Sequence, residues 1–355
     1  MLNYKKIFSL KTFDLIQKDK EKWYFRNQIK LCNHHYKKCE EYKRISDRIF
    51  KNINYCKASH ELPFVHVKNF KEFNLKSVKT DQLSRTLESS GTSNQITSKI
   101  NVDRKTSLLQ SAALFKIFSD IIKKKITFFF ADSPSTLSRL SSLSAKNAAI
   151  RGFSQLSKKS KYLFDNKNNL KLGELYNFLT KNPKEEFAIF GFTSQIWFHL
   201  IQQLKKKKIY FSKNNGILIH GGGWKKLQNQ SVNRVFFNKN ILNTLGIKRI
   251  HNYYGMVEQI GSVFLECEHG FFHTSTFSEI YIRDHNLNLA PNQKTGLIQI
   301  LSLLPLSYPG HNILTEDLGL IIGIDDCKCG RKGKYFLVLG RVPGTENRGC
   351  SDVHE

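Results

Sequence analysis

Between residues 104 and 253 the chain alternates segments of helical hydrophobic period with short, uninterrupted apolar runs. Arg104 to Lys123 carries Leu108, Leu109, Ala112, Leu114, Phe115, Phe118 and Ile122 at helical spacing and leads into the run Ile126 to Ala131. The order then repeats: 185 to 192 (EEFAIFGF) precedes a helix around Ile196 to Leu204, and Gly216 to His220 precedes one through Val232 to Leu245. Lys248 to Tyr253 is the next strand. A run that is apolar at consecutive positions suits a strand buried on both faces, and such strands need helices above and below them. The pattern predicts an α/β sheet. Short strands at 262 to 267, 278 to 283 and 296 to 301 predict a β-rich end after residue 255.

The flanks read differently. Residues 1 to 78 form a helical region in which Trp23, Tyr24, Phe25 and Leu31, then Tyr42, Ile45, Ile49 and Phe50, recur among charges at roughly helical spacing. Residues 79 to 340 form the α/β domain, opened by a Ser/Thr/Asn/Gln-rich stretch in which 87 to 100 reads as strand, loop, strand; 341 to 355 is a short tail. With 355 residues there is enough chain to bury a real core. Lys5, Lys6, Lys11 and Asp14 interrupt any apolar signal region, and no stretch approaches the ~20 apolar residues of a membrane span, so a cytoplasmic chain is expected.

Lys+Arg 56 against Asp+Glu 29 gives 56 − 29 = +27, a charge that invites a nucleic-acid reading. The lysines fall in short runs such as 123 to 125 and 205 to 208, without finger spacing, a helix-turn-helix or an aromatic-interleaved RNA motif. Solvated faces and an acidic protein partner fit them better.

Four strings carry chemistry. Ser89-Ser90-Gly91-Thr92 is a hydroxyl-rich loop with a glycine hinge, suited to wrapping phosphate oxygens and equally to a polar surface turn; it is not a Walker A loop. Gly221-Gly222-Gly223, after an apolar strand and before Trp224 and Lys225, offers bare backbone to a planar base, or a loose strand-to-helix turn. In Tyr254-Gly255-Met256-Val257-Glu258, Tyr254 can stack on a base and Glu258 can ligate Mg²⁺. Thr315-Glu316-Asp317-Leu318-Gly319 sets two acids before a glycine turn, either of which can hold a ribose diol.

Taken in order, with Gly340-Arg341 behind them, these strings resemble the successive motifs of the adenylate-forming enzymes, the acyl-CoA synthetase and ligase superfamily. HGGGWKK, YGMVEQ and SYPGHNILTEDLG narrow the likeness to the LuxE-type acyl-protein synthetases and related sugar-acid-activating proteins, over roughly residues 80 to 351. The resemblance implies a large adenylate-forming α/β domain with a helical N-terminal extension and a truncated C-terminal domain. It implies a ligase that uses ATP to turn a carboxylic acid into an acyl-adenylate and passes the acyl group to a thiol. Position by position it makes Ser89, Ser90, Gly91 and Thr92 the phosphate loop and Gly221, Gly222 and Gly223 the adenine-side turn. Tyr254 and Gly255 become the aromatic-glycine pair, Glu258 the Mg²⁺ acid, Asp317 the ribose acid and Arg341 the hinge arginine. The chain departs from the family pattern at Ser93-Asn94, which stand where Thr-Gly is usual, and in lacking the catalytic lysine of a mobile C-terminal domain. Lys225 and Arg341 are the cations on hand to replace that lysine, although an exposed lysine at a helix start is an ordinary feature.

Cys350, beside Arg348 and near His354, aligns with the cysteine acylated in the luminescence family and would hand its acyl group to a reductase or an acidic carrier. Two alternatives are a phenylacetate-type acyl-CoA ligase with Cys350 idle, and a non-catalytic basic scaffold. Finally, Cys267, Cys327 and Cys329 with His273 or His269 suit a structural tetrahedral Zn²⁺, or are buried thiols acting as small hydrophobes.

Overall fold

The computed structural model describes residues 2–88, 97–138, 145–167, 169–182 and 184–343. Strands are numbered in chain order: β1 Val65–His66, β2 Leu83–Glu88, β3 Lys99–Asp103, β4 Ile126–Phe130, β5 Ser157–Tyr162, β6 Phe187–Phe192 and β7 Gly216–Gly221. These are followed by β8 Arg249–Tyr254, β9 Phe264–Glu266, β10 Phe272–His273, β11 Ser278–Arg283, β12 Gly296–Ser302, β13 Asn312–Ile324 and β14 Lys334–Arg341. One sheet runs in the order β11-β12-β13-β14-β10-β9-β8-β7-β6-β4-β5, with β1 alongside β13, while β2 and β3 form a separate hairpin.

The sheet has two halves. From β5 to β8 the strands are parallel, and every residue of β4, β6 and β7 is buried. These are the uninterrupted apolar runs of the sequence, covered on both faces by the crossover helices that parallel pairing requires. Along the order from β8 to β11 neighbouring strands are antiparallel, with β1 parallel to β13 beside them, so the β-rich end continues the same sheet.

The crossover helices start and stop at side chains the sequence supplies. Asp103 Oδ1 accepts from the Thr106 amide at 2.7 Å to open helix Arg104–Phe118, and Asn233 Oδ1 accepts from Phe236 at 2.9 Å to open Arg234–Leu245. Gly246, at φ 69°, ends the latter in the left-handed conformation. The first helix stops at Phe118, short of the expected Lys123. Within the helix expected around 196 to 204, Ile196–Ile201 widens to a π turn.

The first 75 residues are not helical throughout. Helices Tyr4–Ser9, Gln17–Lys38 and Glu40–Ile49 give way to short turns and then to β1, which pairs Val65 with Ile313 on β13. Helix Gln17–Lys38 turns Gln17, Lys20, Tyr24, Gln28, Leu31, Cys32 and His35 inward. Gln28 Nε2 donates to the carbonyls of Ser302 and His311 at 2.9 and 3.2 Å, and Tyr24 donates to Phe277 at 3.1 Å. Lys20 and Lys334 stand 3.4 and 3.5 Å from the buried Glu279. Among the described residues, no helix is long and apolar enough to cross a membrane.

Candidate active site

Open parallel sheets bind ligands beyond the carboxyl ends of their strands, and the C-terminal ends of β7 and β8 hold two of the motifs. At the end of β7, Gly222 and Gly223 have φ of 77° and 54°, a region closed to most side chains. A Cβ on Gly221 would lie 2.7 Å from the Tyr253 ring. The turn is fixed from behind by His220, whose Nδ1 is hydrogen-bonded to the Thr193 hydroxyl at 2.9 Å. Burial, then the charge of Arg234, lowers the His220 pKa to about 3, so the ring is neutral. Trp224, His220 and Asn252 line a small pocket together with Leu337 and Val338 of β14, which brings the glycine turn and β14 to one cavity. Lys225 opens the short helix Lys225–Gln230; its side chain lies outside what the structure describes.

At the end of β8 the two tyrosines part company. Tyr253 lies against an apolar pocket, whereas Tyr254 is fully buried, its ring 5.9 Å from Phe264 and 6.3 Å from Phe336. Packed against Phe264, Phe272 and Phe336, the Tyr254 ring has no open face in this structure for the base stacking expected of it. Its hydroxyl instead donates to Asp317 Oδ2 at 2.7 Å. Arg341 Nε stands 3.3 Å from the other carboxylate oxygen, and β13 pairs Asp317 directly with Arg341 of β14. Burial, then the nearby Asp317 charge, raises the Tyr254 pKa, keeping the hydroxyl a donor. Three residues singled out in separate motifs thus form one cluster.

Gly255 leads into the turn that carries Glu258. Glu258 is 3% exposed, and its Oε1 has no hydrogen-bond partner among the described residues. A buried carboxylate oxygen without a donor is suited to a cation, so the site fits Mg²⁺. The strand-loop segment Ser307-Tyr308-Pro309-Gly310 packs beneath it: a Cβ on Gly310 would meet the Glu258 carbonyl at 2.6 Å, and Gln259 Nε2 donates to the Gly310 carbonyl at 2.8 Å. Ser307 Oγ donates to the Asn101 carbonyl of β3 at 2.8 Å, and Gln110 donates to the Tyr308 hydroxyl at 3.1 Å. This places the root of the β2–β3 hairpin beside the Glu258 turn. Ser89, Ser90, Gly91 and Thr92, between those strands, lie outside the described residues, as does Cys350.

Sequence reasoning gave no role to Thr193, Gln259 or Tyr308. Gln259 and Tyr308 were present only as members of a string and Thr193 in none, because each acts on a backbone or side chain far along the chain. The apolar pocket beside Tyr253 is walled by Leu114, Phe153, Phe192, Met256, Ile260 and Val263, with no charged side chain among the described residues. A much larger cleft, about 890 Å³, lies at the opposite ends of the strands around Arg234, Lys248, Arg249 and Arg331. It shares Arg234 and Asn238 with the pocket behind the glycine turn but is lined by none of Gly221, Tyr254, Glu258 or Asp317, so the chemistry is assigned to the smaller cavities.

A second cluster lies at the other end of the β13–β14 hairpin. One ligand-type atom from each of Cys267, His273, Cys327 and Cys329 falls within 4.8 Å of the others. His269 is excluded from it: it lies in the turn, half-exposed, 3.9 Å from Glu268.

A family model described as acyl-protein synthetase, LuxE, matches residues 3–355. A long-chain-fatty-acid–luciferin-component ligase of Aliivibrio fischeri is 25% identical over 180 residues, 49% of this chain and 46% of that one, so the match spans less than half of the relative's length. The fold is similar to that of 2-hydroxyisobutyryl-CoA ligase in the postadenylation state with 2-HIB-AMP: TM-score 0.72 at 15% identity, over 93% of this chain and 69% of the other. An open conformation of the same ligase, with 2-HIB-AMP and CoA, gives 0.72 at 16% identity over 94% and 77%. The matched chains share an adenylate-forming ligase fold, and with the family model spanning nearly its whole length this chain belongs to the LuxE family of acyl-protein synthetases.

Proposed function

We propose that the chain is an ATP-dependent ligase that activates an apolar, fatty-type carboxylic acid and transfers the acyl group to a thiol. The observation that carries the reading is the cluster in which Tyr254 and Arg341 hold the buried Asp317. An acid whose Oδ2 accepts from Tyr254 and whose Oδ1 faces Arg341 is oriented in advance for a ribose hydroxyl, which saves the ordering cost at binding. The glycine turn at 221 to 223 gives the base close access to backbone, and Ser89, Ser90, Gly91 and Thr92 wrap the phosphates.

The chemistry has two steps. A carboxylate oxygen attacks the α-phosphorus and the bond to pyrophosphate breaks; a thiolate then attacks the acyl carbonyl and AMP departs. Glu258 would hold Mg²⁺, which supplies neutralisation of the phosphate charge. Lys225 is the cation proposed for the α-phosphate, where one placed donor is typically worth about 2.7 to 4 kcal/mol. Arg341, engaged with Asp317, acts by positioning that acid. The apolar walls around Tyr253 favour an alkyl chain over a sugar acid.

Cys350 in the 341 to 355 tail is the proposed first acceptor. A reductase or carrier of acidic surface is the proposed second, matched to the net charge of +27. Residues 79 to 340 are the proposed catalytic domain, with 1 to 78 an N-terminal region of helices and turns whose strand β1 joins the same sheet.

Intact-protein mass spectrometry after incubation with ATP, Mg²⁺ and a panel of fatty, aromatic and hydroxy acids tests this, run on wild type and Cys350→Ser. A hydroxylamine-labile acyl mass on wild type alone, with a fatty acid, is the expected result. Pyrophosphate release without an adduct would move the acceptor to coenzyme A or a separate carrier. No pyrophosphate with any acid would sink the reading and leave a scaffold.

A further inference from the structure

We infer that Cys267, His273, Cys327 and Cys329 bind one Zn²⁺ in a closed tetrahedral site that staples the β9–β10 turn to the β13–β14 turn. Two features of the backbone support this, beyond the meeting of the four ligand atoms. Each turn is built to the same plan: Cys267-Glu268-His269-Gly270 and Cys327-Lys328-Cys329-Gly330 both begin at a cysteine and end at a glycine. In each, the glycine amide donates to the cysteine carbonyl at 2.9 Å. Gly270 and Gly330 have φ of 88° and 84°, so both turns need glycine to close. A pair of like turns facing each other presents thiols from both sides to a shared point.

The spacing suits the ion. Zinc–sulfur bonds of about 2.3 Å and zinc–nitrogen bonds of about 2.0 to 2.1 Å at tetrahedral angles put sulfurs about 3.8 Å apart and sulfur from nitrogen about 3.6 Å. Cys267 Sγ and Cys327 Sγ are 4.0 Å apart, and Cys329 Sγ is 3.4 Å from His273 Nε2. A disulfide needs about 2.05 Å, so the two cysteines are placed as separate ligands. On binding, three thiols release their protons to solvent as the zinc–sulfur bonds form, and the neutral imidazole donates a lone pair. Four protein ligands leave no position for water or substrate, which makes the role structural.

The place in the sheet shows what the staple does. His273 pairs with Tyr335 at the start of β14, while Phe264 of β9 pairs with Tyr254 of β8. The site therefore fixes one end of the antiparallel half of the sheet, and Tyr254, Asp317 and Arg341 lie along strands that run away from it.

The test needs no catalytic activity. Full-length chain purified under reducing conditions without chelator should contain one zinc, and chain produced with cobalt instead should show thiolate-to-cobalt charge transfer with tetrahedral ligand-field bands. Cys327→Ser/Cys329→Ser should lose the metal, while Cys56→Ser, outside the cluster, should keep it. Zinc well below one equivalent in wild type, an octahedral cobalt spectrum, a Cys267–Cys327 disulfide in the purified chain, or a double variant that keeps its metal would each overturn the inference. If the double variant does not fold, the wild-type metal content and cobalt spectrum still decide.

Discussion

The Tyr254 hydroxyl donates to Oδ2 of Asp317 at 2.7 Å, joining the last residue of β8 to the middle of β13 inside the core. The pair belongs to an acid that also faces Arg341. Tyr254→Phe removes one charge-assisted hydrogen bond and leaves the ring packing intact. Such a bond is worth about 1.5 to 3 kcal/mol, and its loss should lower the melting temperature accordingly. If Asp317 binds ribose, KM for ATP in pyrophosphate exchange should rise more than kcat falls. A variant with unchanged KM would show that Tyr254 supports the fold alone.

Glu258 gives the opposite stability result. Its Oε1 is buried with no donor among the described residues, so the protein alone leaves the desolvation of that oxygen uncompensated. Glu258→Gln should keep or raise the melting temperature in the absence of Mg²⁺ and reduce pyrophosphate exchange at least tenfold, ~1.4 kcal/mol of transition-state stabilisation. It should also abolish any rise in melting temperature on adding Mg²⁺ with ATP. A marked thermal destabilisation without metal would show that the carboxylate is satisfied by the protein.

The buried Lys20–Glu279–Lys334 group should be far less tolerant. Burial alone would raise the Glu279 pKa, yet the two ammonium groups leave it lowered. Glu279→Gln strands two ammonium groups where water cannot reach them. Removing one partner of a buried ion pair typically costs about 3 to 5 kcal/mol. Urea unfolding followed by tryptophan fluorescence should show the midpoint falling accordingly; a shift within that of a surface substitution would contradict the assignment.

This group also marks where the sequence stops being readable. Strands β4, β6 and β7 are legible because burial on both faces leaves an apolar run that no other element explains so well. Helix Gln17–Lys38 is legible as a helix, but its inward face is not. Nothing local marks Lys20, Gln28 and His35 as buried, because their partners, Glu279, Ser302 and Pro305, come from the far end of the chain. At the site the motif order picked out Asp317 and Arg341, but not which neighbouring tyrosine turns inward. Strand alternation puts Tyr253 and Tyr254 on opposite faces, and only the packing on each side decides their tasks. The choice between His269 and His273 is of the same kind, a turn position against a strand position.

His220 and His311 are buried, and burial lowers each to a pKa of about 3; the next contributions are the charge of Arg234 for His220 and of His34 for His311. Unfolded, both would titrate near 6.5. The unfolded chain therefore binds more protons than the folded one between those values. The stability these groups confer is fully present above about 6.5 and is lost as pH falls toward 3, at about 1.4 kcal/mol per pH unit for each group within the window. His311 sits 3.2 Å from Cys32 Sγ and stacks on His35 at 4.6 Å, so it ties the N-terminal helix to the segment before β13. His311→Gln should lower stability at neutral pH and flatten its decline between pH 6.5 and 4.5, measured as urea midpoints at fixed ionic strength. If the slope is the same as in wild type, His311 is not titrating on unfolding and the acid sensitivity lies elsewhere.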